Sequence, residues 1–347
     1  MNDSRMDVDI AFIEGWLRER ETLSGSLRVD IVQGGLSNLT YRLSDDTGPR
    51  WVLRRPPWAA DPAAHDAPRE SRIIGALEST TVPVPGLFGA GTMPDGAPFY
   101  AMDFVDGVVV ADRAAARRLA PVARRRAGAD LVSALVNLHE LDPAAVGLDR
   151  LGRGDTYVER QITRWRRQAQ RCVLVAPELA DEIGEALARS MPAASKVSIV
   201  HGDYRLNNAI IDPGNGSLRA VLDWELSTLG DPLTDVGGLL VHWVDPGDRV
   251  RPFSDSPTAE GGFLRKSELV TFYLERAGLA ADTDLTFYHA FASWRLGIAL
   301  DGVHRRFERR AYGEASSGGA AVAELPNTVP DLVGEAARLL GVDARRH

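Results

Sequence analysis

Three side chains stand out for the chemistry they could do together. In VSIVHGDYRLNNAIID, residues 197–212, an apolar run leads into His201-Gly202-Asp203, and Asn208 follows that aspartate by five positions. A second apolar run, Ala209-Ile210-Ile211, comes directly after. Fifteen residues beyond Asn208 the run Ala220-Val221-Leu222 ends at Asp223, with Trp224 and Glu225 next. Read as strands joined by turns, these runs form a hairpin-like frame expected to carry Asp203, Asn208 and Asp223 towards one spot. Two carboxylates and an amide make a hard oxygen site suited to Mg²⁺, which completes its shell with water and phosphate oxygens. A carboxylate beside such an ion, held near a substrate hydroxyl, can accept its proton as the oxygen attacks phosphorus.

The rest of the chain must position these groups. Apolar spacing predicts a helix over 6–22, and residues 27–32, 39–43 and 51–55 read as strands, the last ended by Pro56-Pro57. Residues 69–77 read as a helix closed by the Pro83, Pro85, Gly86 cluster, and 98–105 as a β-rich stretch running into Asp106-Gly107. Beyond that point the pattern turns helical, over 112–141, 153–172, 178–191, 266–277, 285–306 and 330–340, with loops at 245–262 and 313–321. The change of character near Gly107 predicts two lobes, 1–106 and 107–347, in a chain of 347 residues that is about twice the usual domain length.

HGDYRLNN and VLDWE, in this order and spacing, resemble the catalytic loop and metal-binding motif of the aminoglycoside phosphotransferase-like kinases. The resemblance runs from about Val29 to Phe307. It implies an α+β, bilobal protein-kinase-like fold, with a small β-rich N-terminal nucleotide-binding lobe and a larger, mainly helical C-terminal lobe that binds the acceptor. It implies ATP and Mg²⁺ as cofactors and a small-molecule hydroxyl as acceptor. Carried over, Asp203 is the catalytic base or orienter, Asn208 and Asp223 hold Mg²⁺, and Glu225 serves a second ion or an outer position. Arg205 neutralises charge on the transferring phosphoryl group or forms a fold-stabilising ion pair. His201, His139, Asp231 and Asp235 are expected to be structural.

On the nucleotide side, Gly34, Gly35, Ser37 and Asn38 lie between two strands, where the resembled fold places its phosphate-covering loop. Glycines there let backbone N–H groups approach phosphates, and Ser37 and Asn38 add donors. The third strand should offer a cation to the α- and β-phosphates. The only lysines are Lys196 and Lys266, so Arg54 takes that position, with Glu70 of the next helix as its partner. Arginine brings a forked, bulkier donor set than lysine. Met102–Gly107 matches the interlobe hinge, which puts the adenine edge on the carbonyl of Asp103 and the N–H of Val105.

Composition narrows the alternatives. With 44% hydrophobic and 25% charged residues the chain is globular, and a formal charge of −8 argues against a nucleic-acid-coating protein. No apolar run approaches a membrane span, and the start carries early acids and no apolar signal region, so a cytoplasmic protein without a membrane partner is expected. Cys172 is the single cysteine, which excludes an internal disulfide, and the histidines lack zinc-ligand spacing. The basic stretch 113–126 reads as a solvated face, and Phe291 and Trp294 as core. Asp301 mixed with Arg295, Arg305 and Arg306 favours a neutral or anionic acceptor over a polycation. The wording HGDYR, VLDWE and TLGDP looks most like the branch fused to acyl-CoA dehydrogenases, which implies a hydroxylated acyl-type acceptor. A monomer and a homodimer are both compatible with the sequence. The competing reading is a nucleotide-binding pseudokinase acting as a regulatory or partner-binding module, its one support being Arg54 in place of lysine.

Overall fold

The computed structural model describes residues 8–32, 38–56, 66–193, 196–308 and 319–344. It divides into two compact units, one of Met1–Asp106 with Ala220–Glu225 and one of Gly107–Arg219 with Leu226–His347. Asp223 and Glu225, which the motif reading groups with the second half of the chain, therefore belong to the first unit.

The first unit is an antiparallel five-stranded sheet with a helix on each face. Strands β1 (Arg28–Ile31), β2 (Leu39–Asp45), β3 (Gly48–Arg55), β4 (Leu87–Thr92) and β5 (Pro98–Asp103) lie in the order β1-β2-β3-β5-β4. Period-2 alternation sorts the faces. Tyr41, Leu43, Trp51, Leu53, Phe99 and Ala101 are all buried in one cluster with helix α1 (Ile10–Arg18). Trp16 of α1 meets Phe99 and Phe88 edge-on, at 5.0 and 5.6 Å between ring centres. The other face carries Arg54 opposite Tyr100 and lies under helix α2 (Ala67–Leu77). Helix α2 starts where Asp66 accepts the Arg69 N–H at 2.9 Å, with proline in the first turn. Its Glu70, Ile73, Ile74 and Leu77 are buried. Strand β4, LFGAGT, carries two glycines and shows no apolar alternation, and sequence reading passes over it.

The second unit is mainly helical. The predicted helix over 112–141 is two helices, α3 (Arg113–Arg117) and α4 (Pro121–Glu140), because Pro121 cannot donate to a preceding turn and instead opens α4. Helices α5 (Tyr157–Ala169) and α6 (Pro177–Ser190) follow. Short strands β6 (Ser198–Val200), β7 (Ala209–Ile211), β8 (Leu218–Val221) and β9 (Thr228–Gly230) pair as β6 with β9 and β7 with β8. Helices α7 (Leu233–His242), α8 (Lys266–Arg276), α9 (Thr286–Glu308) and α10 (Gly319–Leu340) complete it. Phe291 and Trp294 are core as expected, and Trp294 donates to the Ala180 carbonyl at 2.7 Å. Helix α10 starts eleven residues before Pro330 and contains both Pro326 and Pro330. Its buried Val329, Leu332, Val333 and Ala336 pack with α9, and tertiary burial overrides the proline signal. The basic stretch 113–126 is solvated and paired. Arg113 and Arg117 share Glu260, and Arg125 meets Glu268.

Candidate active site

Each unit carries one cluster of predicted site residues. In the first, Arg54 projects from the face of β3 that looks at α2. Its Nη1 lies 2.5 Å from Glu70 Oε1 and its Nη2 3.1 Å from Asp223 Oδ1. Glu70 Oε1 also accepts the Trp224 N–H at 3.2 Å, and Arg69 donates to the Glu225 carbonyl at 3.1 Å, so α2 fastens the 220–225 segment. Asp223 holds φ at 68°, a left-handed conformation uncommon outside glycine, which aspartate tolerates better than most. Burial pushes Glu70 up to about 7; Arg54 opposes the rise, while Asp223 and Glu225 add to it. Arg54 Nε, Glu70 Oε2, the Tyr100 hydroxyl and Asn38 Oδ1 are buried with no hydrogen bond of ordinary geometry. Such orphaned groups are rare in finished scaffolds and fit a cluster that receives a polar ligand.

In the second unit a turn after β6 presents the HGD loop. Asn208 Nδ2 donates to both the main-chain carbonyl and Oδ2 of Asp203, each at 2.9 Å, which leaves its own Oδ1 as an acceptor towards a cation. Arg205 Nε stands 3.1 Å from Asp203 Oδ2. Burial works to raise Asp203, but Arg205 above all, with the Asn208 amide, outweighs it and holds the carboxyl below its usual range. His242, at the end of α7, is pushed down to about 3 by burial and the neighbouring Arg205 and Arg295, and is neutral at ordinary pH. Arg295 of α9 donates to the Gly202 carbonyl at 3.0 Å.

Behind this loop lies a saturated brace. Asp235 Oδ2 accepts from the His201 N–H at 2.6 Å and sits 3.3 Å from His139 Nε2, while Oδ1 accepts the Gly202 N–H at 2.9 Å. His139 Nδ1 is 2.8 Å from the Tyr273 hydroxyl, and Asp231 accepts from Tyr288 at 2.7 Å and from the Leu233 N–H at 3.0 Å. His139, His201, Asp231 and Asp235 thus occupy structural places, as their resemblance implies. Gly202 has φ of 88°, and a Cβ there would meet the Leu226 carbonyl oxygen at 2.8 Å, so only glycine turns this corner without strain.

The structure therefore brings Arg54 together with Glu70 and Asp223, and Asp203 with Asn208 and Arg205, whereas the sequence reading pairs Arg54 with Glu70 alone and groups Asp203, Asn208 and Asp223. Asp103 ends β5, where its N–H bonds the Gly86 carbonyl at 2.8 Å. Val105 follows in irregular chain, and its N–H donates to none of the described residues. Gly34, Gly35 and Ser37 lie outside the described residues. Tyr100 and His242 were not singled out, and Arg295 only as one of the late basic residues that bear on acceptor charge. The β-alternation of residues 98–103 puts Tyr100 on the Arg54 face, whereas nothing in the pattern marks His242 or Arg295. No three His, Cys, Asp or Glu side chains lie together as a metal cage among the described residues.

Comparison with known proteins fits this layout. The sequence profile described as the phosphotransferase enzyme family matches residues 29–263. The chain is 31% identical over 313 residues to acyl-CoA dehydrogenase family member 10 of Mus musculus, covering 88% of this chain and 28% of that protein. It spans well under half the length of the curated relatives it matches. The structure of a Ralstonia eutropha protein, provisionally described as an aminoglycoside phosphotransferase, superposes with a TM-score of 0.75 at 30% identity over 95% of this chain and 98% of that one. The GDP complex of aminoglycoside 2'-phosphotransferase-IIIa superposes at 0.60 with 15% identity, over 97% and 98% of the two chains, a likeness of fold.

Proposed function

The chain belongs to the phosphotransferase enzyme family, and from that premise we propose that it moves the γ-phosphoryl group of ATP, with Mg²⁺, to a hydroxyl of a small hydroxylated metabolite. It is a phosphotransferase with a hydroxyl acceptor and the α+β fold of its relatives; the nucleotide, the metal and the acceptor class are our reading. The observation that carries it is the pairing of Asp203 with Asn208 on one loop, a base and an ion ligand locked together by two 2.9 Å hydrogen bonds.

In this reading Asp203 is ionised at neutral pH and takes the acceptor's hydroxyl proton as its oxygen approaches phosphorus. Asn208 Oδ1 and the Asp223 carboxylate hold Mg²⁺, with Glu225 in an outer role; the bound ion would neutralise charge on the phosphate oxygens. Arg54, oriented by Glu70, meets the α- and β-phosphates. Gly34, Gly35, Ser37 and Asn38 cover them, and Asp103 and Val105 offer main-chain groups to the adenine. A solved relative in fold binds GDP, which supports a purine nucleotide as donor. Arg205 and Arg295 stand near Asp203 while His242 is neutral, so the acceptor end of the site is cationic. That supports a neutral or anionic acceptor, and the likeness to acyl-CoA dehydrogenase family members suggests a hydroxylated acyl compound.

The test is ADP release from ATP and Mg²⁺ across hydroxylated acids, neutral polyols and aminoglycosides. Turnover with hydroxylated acids is expected, and turnover confined to aminoglycosides would overturn the acceptor class. Nucleotide binding that ignores Mg²⁺, with no turnover on any acceptor, would favour a pseudokinase, the reading that Arg54 in place of lysine invites.

A further inference from the structure

We propose that Tyr100 is a positioning residue: its hydroxyl sets the Glu70 carboxylate, through which Arg54 is held for the nucleotide phosphates. This rests on the nucleotide reading of Arg54 given above and goes beyond it, since neither the motifs nor the family resemblance points to Tyr100.

Tyr100 of β5 stands opposite Arg54 of β3 in the antiparallel register, so both side chains leave the same face of the sheet, under α2. Tyr100 is wholly buried, Glu70 is 1% exposed and the Arg54 side chain 11%. Glu70 Oε1 is already engaged by Arg54 and by the Trp224 N–H. Its second oxygen, Oε2, has no hydrogen bond of ordinary geometry, and neither has the Tyr100 hydroxyl, although the two groups lie close enough to interact. Two unfilled donors stand in this cluster, Arg54 Nε and the Tyr100 hydroxyl; the phenol keeps its proton in this buried place and, unlike Arg54, is not itself the group to be held.

Phenylalanine would fill the same space and strand no hydroxyl. A buried hydroxyl without a bond destabilises the fold, so its presence beside an equally unfilled carboxylate oxygen calls for a role. That role follows from the arginine. A lysine has one compact head, whereas Arg54 extends two arms, one to Glu70 and one to Asp223. If the Glu70 carboxylate is free to turn, the guanidinium loses one anchor and swings on the other. Fixing Oε2 from the Tyr100 side holds the fork in one orientation.

The experiment measures binding of a non-hydrolysable ATP analogue by calorimetry, and the unfolding midpoint without nucleotide, for wild type, Tyr100→Phe, Glu70→Ala and the double variant. Tyr100→Phe should weaken nucleotide binding by about tenfold, with an unfolding midpoint unchanged or slightly lower because Glu70 Oε2 loses its donor. In the Glu70→Ala background the same change should weaken binding no further. Tyr100→Leu should show the same loss of affinity plus a loss of stability from the missing ring. Wild-type affinity in Tyr100→Phe, or losses that multiply in the double variant, would overturn the proposal. Failure of the wild type to bind the analogue at all would instead overturn the nucleotide reading.

Discussion

Glu70 and Asp235 are two carboxylates buried to nearly the same degree, at 1% and 3% exposure, yet their surroundings drive them in opposite directions. Asp235 receives two main-chain N–H groups and His139, and these hold it below the usual carboxylate range despite complete burial. Glu70 has Arg54 and one N–H on a single oxygen, and burial pushes it up to about 7. Burial alone does not settle the state of a carboxylate; the count and placement of donors do. The Asp235 surroundings form a finished brace whose groups are saturated by the protein. The Glu70 surroundings keep unfilled polar atoms, among them the donors Arg54 Nε and the Tyr100 hydroxyl. The first is a saturated scaffold; in the proposed reading the second meets the nucleotide.

The contrast can be broken from the scaffold side first. Asp235→Ala strips the donors of the HGD loop and should destabilise the chain by about 3–5 kcal/mol, read as a lower urea midpoint. Asp203→Asn keeps the bond to Asn208 and should leave that midpoint in place while kcat falls by roughly 10²–10⁴. Equal damage to stability from both variants would erase the distinction. Acid–base behaviour sharpens it. An unfolded glutamate titrates near 4.5, so between that value and about 7 the folded chain holds a proton that the unfolded chain has released. Stability through Glu70 therefore falls as pH rises across that window, by on the order of 1–3 kcal/mol, and Glu70→Gln should flatten the profile in metal-free buffer. Asp235 has the opposite sign: its contribution is complete above the ordinary aspartate value and lost as pH falls through its lowered one. Gly202→Ala forces a side chain into a left-handed corner against the Leu226 carbonyl and should lower stability by about 1–3 kcal/mol. The smallest effect is at Cys172, a buried thiol pushed up to about 12 chiefly by burial, with Asp301 adding. It should resist alkylation at pH 8 until the chain unfolds, and rapid labelling of native protein would contradict its placement.

Local pattern made the first unit's sheet legible where apolar and polar residues alternate, as in β2 and β3. It failed for β4, because LFGAGT is half-buried to exposed throughout and carries two glycines in place of a row of large buried side chains. It failed again at α10, where Pro330 reads as a start and the packed face of Val329, Leu332, Val333 and Ala336 carries the helix through. Among the proposed site residues, Asp203, Asn208 and Asp223 stand out through short motifs of fixed spacing, and Arg54 and Glu70 only through their places on the third strand and the next helix of the resembled fold. Tyr100 does not, and Arg295 is read only for its charge, because their contacts come from register and tertiary packing. Tyr100 matters only because β5 sets it against Arg54, and Arg295 only because α9 brings it to the Gly202 carbonyl. Asp223 was legible as a carboxylate but not as a member of the first unit, since that depends on α2 capturing Trp224 and Glu225 from far along the chain.

In the proposed reading the first unit's cluster binds nucleotide through a divalent ion on Asp223. Calorimetric titration of ATP, with and without Mg²⁺, into wild type and Asp223→Asn tests it most directly. Asparagine keeps the size and the tolerance for a φ of 68° but gives up the charge. Mg²⁺ should tighten ATP binding by about tenfold or more in the wild type and leave the variant's affinity unchanged, at equal unfolding midpoints. A wild type indifferent to Mg²⁺, or a variant that responds as strongly, would contradict the account.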